Sequence, residues 1–144
     1  MVRVRPLDVS DGDALGAFAD AAPGRGAVAF YARTGHAFVA EDDAGIAGFA
    51  LAAAVWDGER PTVRLARLAL RAHAEADEAD AVRAALLEAV TKSAYDAAVY
   101  DLVAEIPEGD AATAAWLVAA DWTVRPVTTF VRILGSRGGG DRGA

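Results

Sequence analysis

The side chains best suited to chemistry in this sequence are the carboxylates that follow Arg71. Glu75, Asp77, Glu78 and Asp80 surround the predicted start of a long helix. Acidic groups at that position meet the positive end of the helix dipole and stabilise the helix by about 0.3–1 kcal/mol each. The same charges would repel a phosphate group. We therefore interpret these acids as helix-stabilising residues in preference to catalytic ones.

One histidine is a candidate general base. His36 stands at the start of a predicted strand, beside Arg33 and Gly35. An imidazole changes its charge near neutral pH and can accept a proton from a substrate. The alternative is that His36 only ends a helix or bonds to a backbone carbonyl, and this structural role is the commoner one.

The composition excludes several classes of protein. A chain of 144 residues suits one domain with a single core. The net charge of −7, with scattered basic residues, argues against a nucleic-acid partner. The absence of cysteine excludes a thiol nucleophile and thiolate-held metals, and two histidines do not make a structural zinc site. We predict no metal.

The N-terminus has no apolar stretch typical of a signal peptide, and no apolar run in the sequence is long enough to span a bilayer. We therefore expect a soluble cytoplasmic protein that has no membrane partner.

The periodicity of apolar residues predicts alternating strands and helices. The first half is predicted to hold a strand at Val2–Leu7, helices at Asp13–Asp20 and Ala27–Ala32, and three strands between His36 and Leu70, with turns at Asp42–Gly45 and Asp57–Pro61. The second half is predicted to hold a helix at Ala79–Ala98, a strand at Val99–Ile106, a helix from Asp110 through Ala120, and one or two closing strands before Leu134. The glycine-rich tail, 135–144, is predicted to be disordered, so that 1–134 forms one domain.

This order of elements resembles that of the GCN5-related N-acetyltransferase (GNAT) superfamily. "FVAEDDAGIAGFALA", Phe38–Ala52, is similar to its strand–turn–strand unit, in which an acidic turn precedes a strand with an internal glycine. The resemblance covers about Val2 to Leu134. It implies an α/β (α+β) fold with a mixed, mostly antiparallel sheet of six to seven strands and helices on both faces.

The resemblance also implies acetyl-CoA as the acyl donor. In the superfamily the fourth strand leads into an Arg/Gln-x-x-Gly-x-Gly/Ala loop whose backbone N–H groups hold the CoA pyrophosphate. Arg71 matches its first residue, and Leu68, Leu70 and His73 are the neighbouring positions expected to bind the cofactor. The loop here has no glycine and is acidic, which indicates that it has diverged from ordinary CoA binding.

A second signature of the superfamily, near the last helix, carries a tyrosine that protonates the departing CoA thiolate. Here Leu117 stands at that position and cannot donate a proton, while Asp121 replaces the motif's glycine. Tyr100, near the fifth strand, is the alternative acid. Glu105 stands where members of the superfamily often place a catalytic carboxylate, and His36 adjoins the region that lines the acceptor site.

Two hypotheses remain. The first is a divergent N-acetyltransferase that moves an acetyl group from acetyl-CoA to a small-molecule or protein amine, with Glu105 or His36 as the base. The second is a noncatalytic GNAT-like module that has lost CoA and binds a ligand or protein. The resemblance makes a homodimer possible.

Overall fold

The structure, a computed structural model, describes residues 1–135. The predicted tail lies outside this range apart from Gly135. The described chain contains one five-stranded sheet in the order β1-β2-β3-β4-β5. The strands are β1 Arg3–Pro6, β2 Phe38–Asp42, β3 Gly45–Trp56, β4 Pro61–Leu70 and β5 Leu102–Ala104.

The sheet is mostly antiparallel, as predicted. β1, β2, β3 and β4 pair antiparallel in sequence order, and only β5 is parallel to its neighbour, β4. The predicted six to seven strands are not confirmed. The predicted closing strands are absent from residues 1–135. Trp122–Leu134 has no regular secondary structure there, and its backbone pairs with no strand of the sheet.

Four α-helices accompany the sheet within residues 1–135. They are α1 Gly12–Leu15, α2 Arg25–Tyr31, α3 Ala76–Asp96 and α4 Ala111–Ala119. The predicted single helix at Asp13–Asp20 is instead α1 followed by a 3₁₀ segment, Gly16–Ala21, that is interrupted at Ala19, where φ is +53°. A β-carbon strains that conformation, which breaks the helix.

Two hydrophobic clusters place helices on both faces of the sheet. On one face, α3 supplies Val82, Leu86 and Val90, and α4 supplies Leu117. On the other face, Leu15 and Val28 of α1 and α2 pack against sheet residues that include Phe49. The first face matters most for the site, because it fixes how α3 and α4 lie against the ends of β4 and β5.

Gly48 in β3 allows α3 to approach the sheet closely. A β-carbon at this position would lie 2.8 Å from the carbonyl oxygen of Ala69 and 2.8 Å from Cγ1 of Val82. Real side chains do not tolerate such distances. The internal glycine of the strand is therefore a packing requirement that sets the position of α3.

No helix within residues 1–135 combines the length and the apolar character that a membrane crossing would require.

Candidate functional site

The candidate site begins where β4 and β5 separate. Their parallel register ends at Leu65 opposite Ala104, and the N–H of Glu105 donates to the Leu65 carbonyl at 3.0 Å. β4 then continues to Leu70, while the chain that follows β5 turns away toward α4. A register shift against β3 leaves Ala66 without a partner, a bulge that bends β4 at this point. Beside this separation lies a cleft of about 660 Å³, which we call the β4–β5 cleft. It is lined by Ala66 of β4, by Leu102–Pro107, by α4, and by Trp122–Arg125, Val127 and Thr129.

Glu105 is the predicted catalytic residue that lines this cleft. Its carboxylate lies 3.2 Å from Nε of Arg64, and both side chains are about half exposed. An exposed ion pair of this kind contributes little stability. The ion pair instead positions the carboxylate, because Arg64 holds it at the cleft while leaving it open to solvent.

A second cavity, of about 730 Å³, lies where β4 runs into α3. We call it the α3 pocket. Its acidic lining residues are Asp42, Asp43, Asp77 and Glu78, and Arg71 is its basic side chain. Leu70 also lines it, whereas Leu68 is buried beneath α3. The pocket therefore carries an excess of negative charge.

Arg71 is already engaged by a carboxylate. Its two terminal nitrogens donate to the two oxygens of Asp42 at 2.8 and 2.9 Å. These hydrogen bonds lower the pKa of Asp42 to about 2. An arginine held in this way can meet a phosphate only if it shares or leaves the carboxylate.

The backbone at the start of α3 is left open. Glu75 occupies the position before the helix, and its side chain accepts no hydrogen bond from the first turn. His73 has φ of +62°, a left-handed conformation that lets the loop turn without a glycine. The first-turn N–H groups and the helix dipole therefore suit an anion, whereas the side chains of Asp77 and Glu78 oppose one.

A buried polar contact joins α3 to α4. Nε of Arg83 donates to Oγ1 of Thr113 at 3.0 Å, and another guanidinium nitrogen donates to Asp80 at 2.9 Å. Arg83 is 7% exposed and Thr113 is 1% exposed. This contact was not among the sequence-based predictions. The sequence feature that could have indicated this contact is Arg83 itself, an arginine that falls within the apolar face of the predicted helix, between Val82 and Leu86.

His36 lies apart from both cavities. It is buried, and its Nδ1 lies 2.8 Å from Oγ of Ser93 near the end of α3. Ser93 donates its own proton to the Val90 carbonyl, so Nδ1 of His36 is assigned as the donor to Ser93. Burial lowers the pKa of His36. These contacts join the loop before β2 to α3.

Tyr100 lies at the opposite end of β5 from Glu105. It precedes the strand, is 71% exposed, and packs edge-on against Tyr95 with ring centroids 5.5 Å apart. Five residues of extended chain correspond to a separation of about 16 Å. The structure therefore does not bring Tyr100, His36 and Glu105 together. Leu117, at the position of the superfamily's tyrosine, is buried.

No group of three or more histidine or acidic side chains that could hold a metal ion occurs among residues 1–135.

Comparisons with known proteins agree with this architecture. TTHA1254 from Thermus thermophilus is 40% identical, and the match covers 94% of this chain and 99% of that one with a TM-score of 0.76. Aminoglycoside N-acetyltransferase AAC(6')-Iy in complex with CoA is 15% identical, with coverage of 92% and 95% and a TM-score of 0.71. A ribosomal-protein-alanine N-acetyltransferase from Brucella melitensis biovar Abortus 2308 is 13% identical, with coverage of 93% and 100% and a TM-score of 0.68.

The fold is therefore that of a GNAT-like protein. A family described as "Protein of unknown function (DUF1999)" matches residues 20–143, and the chain belongs to this family. No curated protein matches the sequence.

Proposed function

We propose that this protein is a divergent N-acetyltransferase that moves an acetyl group from acetyl-CoA to a small-molecule or protein amine. The observation that carries the proposal is the separation of β4 from β5 beside a cleft with a carboxylate on its wall, in a chain of GNAT-like fold. A groove between two diverging strands can admit an extended ligand without breaking the sheet.

The residues around the α3 pocket would hold the donor. The first-turn N–H groups of α3 are free of side-chain caps and fit the CoA phosphates. Leu70 and Arg71, which line this pocket, are the candidate contacts, whereas Leu68 is buried beneath α3 and His73 lies in the loop that leads to the helix. Bound there, acetyl-CoA would supply an activated acetyl thioester.

Glu105 is our candidate base. It lines the β4–β5 cleft and is held by Arg64, so its oxygens can attract a cationic amine and take up a proton from it, directly or through water. His36 and Tyr100 are less well placed for this step. The contact of His36 with Ser93 and the exposure of Tyr100 favour structural roles for both.

One observation favours the second candidate function, a noncatalytic GNAT-like module. Arg71 is bound by Asp42, and Asp43, Asp77 and Glu78 add further negative charge to the same pocket. If these charges exclude CoA, the β4–β5 cleft would instead bind a different small molecule or a protein segment.

Calorimetric titration with CoA and acetyl-CoA, at low and moderate salt, separates the two functions. The acetyltransferase predicts micromolar binding that Arg71→Ala weakens. It also predicts tighter binding after combined Glu75→Gln, Asp77→Asn and Glu78→Gln substitution. At a separation of about 10 Å in water, each removed charge lessens the repulsion of a phosphate by about 0.4 kcal/mol. The three charges together correspond to a gain in CoA affinity of about five- to tenfold at low salt.

A matched control removes three charges elsewhere. Asp13→Asn, Asp20→Asn and Glu88→Gln change exposed residues that do not line the α3 pocket, and should leave the affinity for CoA within about twofold. If no heat of binding is seen for the native chain or the pocket variant at either salt, the acetyltransferase proposal fails.

A further inference from the structure

The sheet face that lies opposite α3 is left open beside β5. On β4, Val63 and Leu65 are buried in the cluster that α3 covers. Their neighbour Arg64 therefore points to the opposite face, and its partner Glu105 lies there with it. Helices α1 and α2 also pack on that opposite face, but against β2, β3 and the far end of β4. Within residues 1–135 Arg64 and Glu105 thus remain about half exposed.

A small cavity of about 160 Å³ lies on this open part of the face. We call it the ion-pair cavity, because two arginines and two carboxylates line it: Arg64, Arg125, Asp57 and Glu105. Glu105 and Arg125 also line the β4–β5 cleft, so the two cavities meet at these side chains. A molecule in the ion-pair cavity would therefore lie beside the candidate base.

The two ion pairs of this cavity are loosely made. Nε of Arg64 lies 3.2 Å from one oxygen of Glu105. Nη1 of Arg125 lies 3.3 Å from one oxygen of Asp57, and these two side chains are also about half exposed. Neither pair has the arrangement of two nitrogens on two oxygens that holds Asp42. Exposed pairs of this kind contribute little to stability, so a ligand can join or replace them at small cost.

The charges of the first pair match those of a free α-amino acid. In such a molecule the ammonium and the carboxylate are attached to the same carbon, so two opposite charges lie side by side, as they do in Arg64 and Glu105. The amino acid can dock in the reverse sense, with its carboxylate on the guanidinium and its ammonium on the carboxylate of Glu105. Every charge of the ligand then has a partner, and so has each charge of the pair.

Other classes of amine fit this cavity less well. A polyamine brings only positive charge, which Arg64 and Arg125 would repel. The terminal amine of a protein has its own carboxyl group in a peptide bond, so it would leave the arginine without an anion. The volume also favours a small ligand, since about 160 Å³ is below the range of about 300–1,000 Å³ that is common for drug-sized molecules.

We propose that the ion-pair cavity binds a free α-amino acid, with its carboxylate on Arg64 and its amine on Glu105, and that this amino acid is the acetyl acceptor. The second part rests on the proposed acetyltransferase function. Glu105 takes one proton from the bound ammonium. The amine nitrogen then bonds to the acetyl carbon as the carbon–sulfur bond of the thioester breaks, and its second proton leaves with the sulfur. The products are an N-acetylamino acid and the free thiol of CoA.

Binding alone tests the cavity without any transfer step. Each standard amino acid and its α-carboxamide, at millimolar concentration, is titrated into the native chain with and without CoA, and backbone amide NMR shifts are followed. At least one amino acid should shift Arg64, Val103 and Glu105, and its carboxamide, which lacks the anionic group, should bind at least about tenfold more weakly. The proposal is overturned if no amino acid shifts these residues, or if the carboxamides bind equally well.

A pair of variants assigns the carboxylate contact. Arg64→Met should weaken binding of that amino acid by about tenfold or more, because a charge-assisted contact is lost. Arg67→Met removes another exposed arginine of β4 that does not line the ion-pair cavity, and should leave the affinity within about twofold. Equal losses in the two variants would contradict the assignment.

Release of free thiol from acetyl-CoA separates the two parts of the proposal. With amino acids as acceptors, the native chain should release thiol, and Arg64→Met should raise KM more than it lowers kcat, because Arg64 binds the acceptor and takes no part in proton transfer. Thiol release with spermidine or a peptide amine but with no amino acid would leave the acetyltransferase standing and refute the amino acid acceptor. If acetyl-CoA does not bind, the acetyltransferase and the acceptor role both fail, and the NMR titration alone decides the amino acid site.

Discussion

Replacing Thr113 by valine tests how much the buried contact between α3 and α4 stabilises the fold. Valine has nearly the shape of threonine and removes only the hydroxyl. Nε of Arg83, now 3.0 Å from that hydroxyl in a site 7% exposed, would lose its partner. The other guanidinium contact, to Asp80, would remain.

The size of the effect follows from burial. Leaving a buried donor without a partner costs about 1–3 kcal/mol, and donors on charged groups lie toward the upper end. For a chain of this length, each kcal/mol shifts the melting temperature by about 2–4 °C. We therefore expect Thr113→Val to lower the melting temperature by about 2–12 °C.

Thermal and urea unfolding measure this loss, and Thr113→Ser is the control because it keeps the hydroxyl. A double-mutant cycle with Arg83→Met isolates the contact, since the two substitutions should be less than additive. The reasoning is refuted if Thr113→Val unfolds at the native temperature, or if the two losses add without coupling.

Two further predictions concern the positions of α3 and the loop before β2. Gly48→Ala should lower the free energy of unfolding in urea by at least about 1–3 kcal/mol, because its β-carbon would lie 2.8 Å from the Ala69 carbonyl oxygen. Gly26→Ala in α2, where nothing lies within 4 Å, should be neutral or stabilising, and equal losses in both variants would contradict this explanation. Burial lowers the pKa of His36 below 6.5 in the folded chain. The unfolded chain therefore takes up this proton at a higher pH than the folded chain, so the free energy of unfolding decreases as pH falls through 6.5. An NMR titration of the His36 ring should therefore have its midpoint below 6.5, and a midpoint above that value would refute the argument.

The regular part of the fold was predictable because its signals are local. The acidic turn before Gly45 and the apolar periodicity of α3 follow from short-range rules of turns and helix faces. The break at Ala19 was not predictable, since alanine favours helix and only packing forces its φ to +53°.

The closing strands show a different limit. The alternation in Trp122–Leu134 is typical of a strand, but a strand needs a neighbour, and one copy of the chain supplies none within the described residues. The candidate site was predictable only as a region. Sequence placed Arg71 after the fourth strand and Glu105 late in the fifth, and in the structure they directly follow β4 and β5. The contacts of Arg71 with Asp42 and of His36 with Ser93 join residues far apart in the chain.

One departure from the superfamily's glycine positions changes charge more than backbone shape. Asp121, at the glycine of the second signature, has φ of +70° and ends α4, with the N–H of Trp122 bonded to the Leu117 carbonyl at 3.0 Å. This is the left-handed helix end that glycine usually provides. In the loop before α3 the motif's glycine position is Ala74, and the positive φ, +62°, occurs one residue earlier, at His73.

The backbone therefore takes positive φ in both turns without a glycine. What differs at the α3 pocket is its electrostatics, in which Asp42 binds Arg71 and the first turn of α3 is acidic. A pocket closed by altered shape would stay closed whatever its charge. A pocket weakened by charge should regain affinity for CoA when the acids are neutralised, and should show the largest gain at low salt. The salt dependence of the neutralised variant is thus the observation that distinguishes a weakened cofactor site from a lost one.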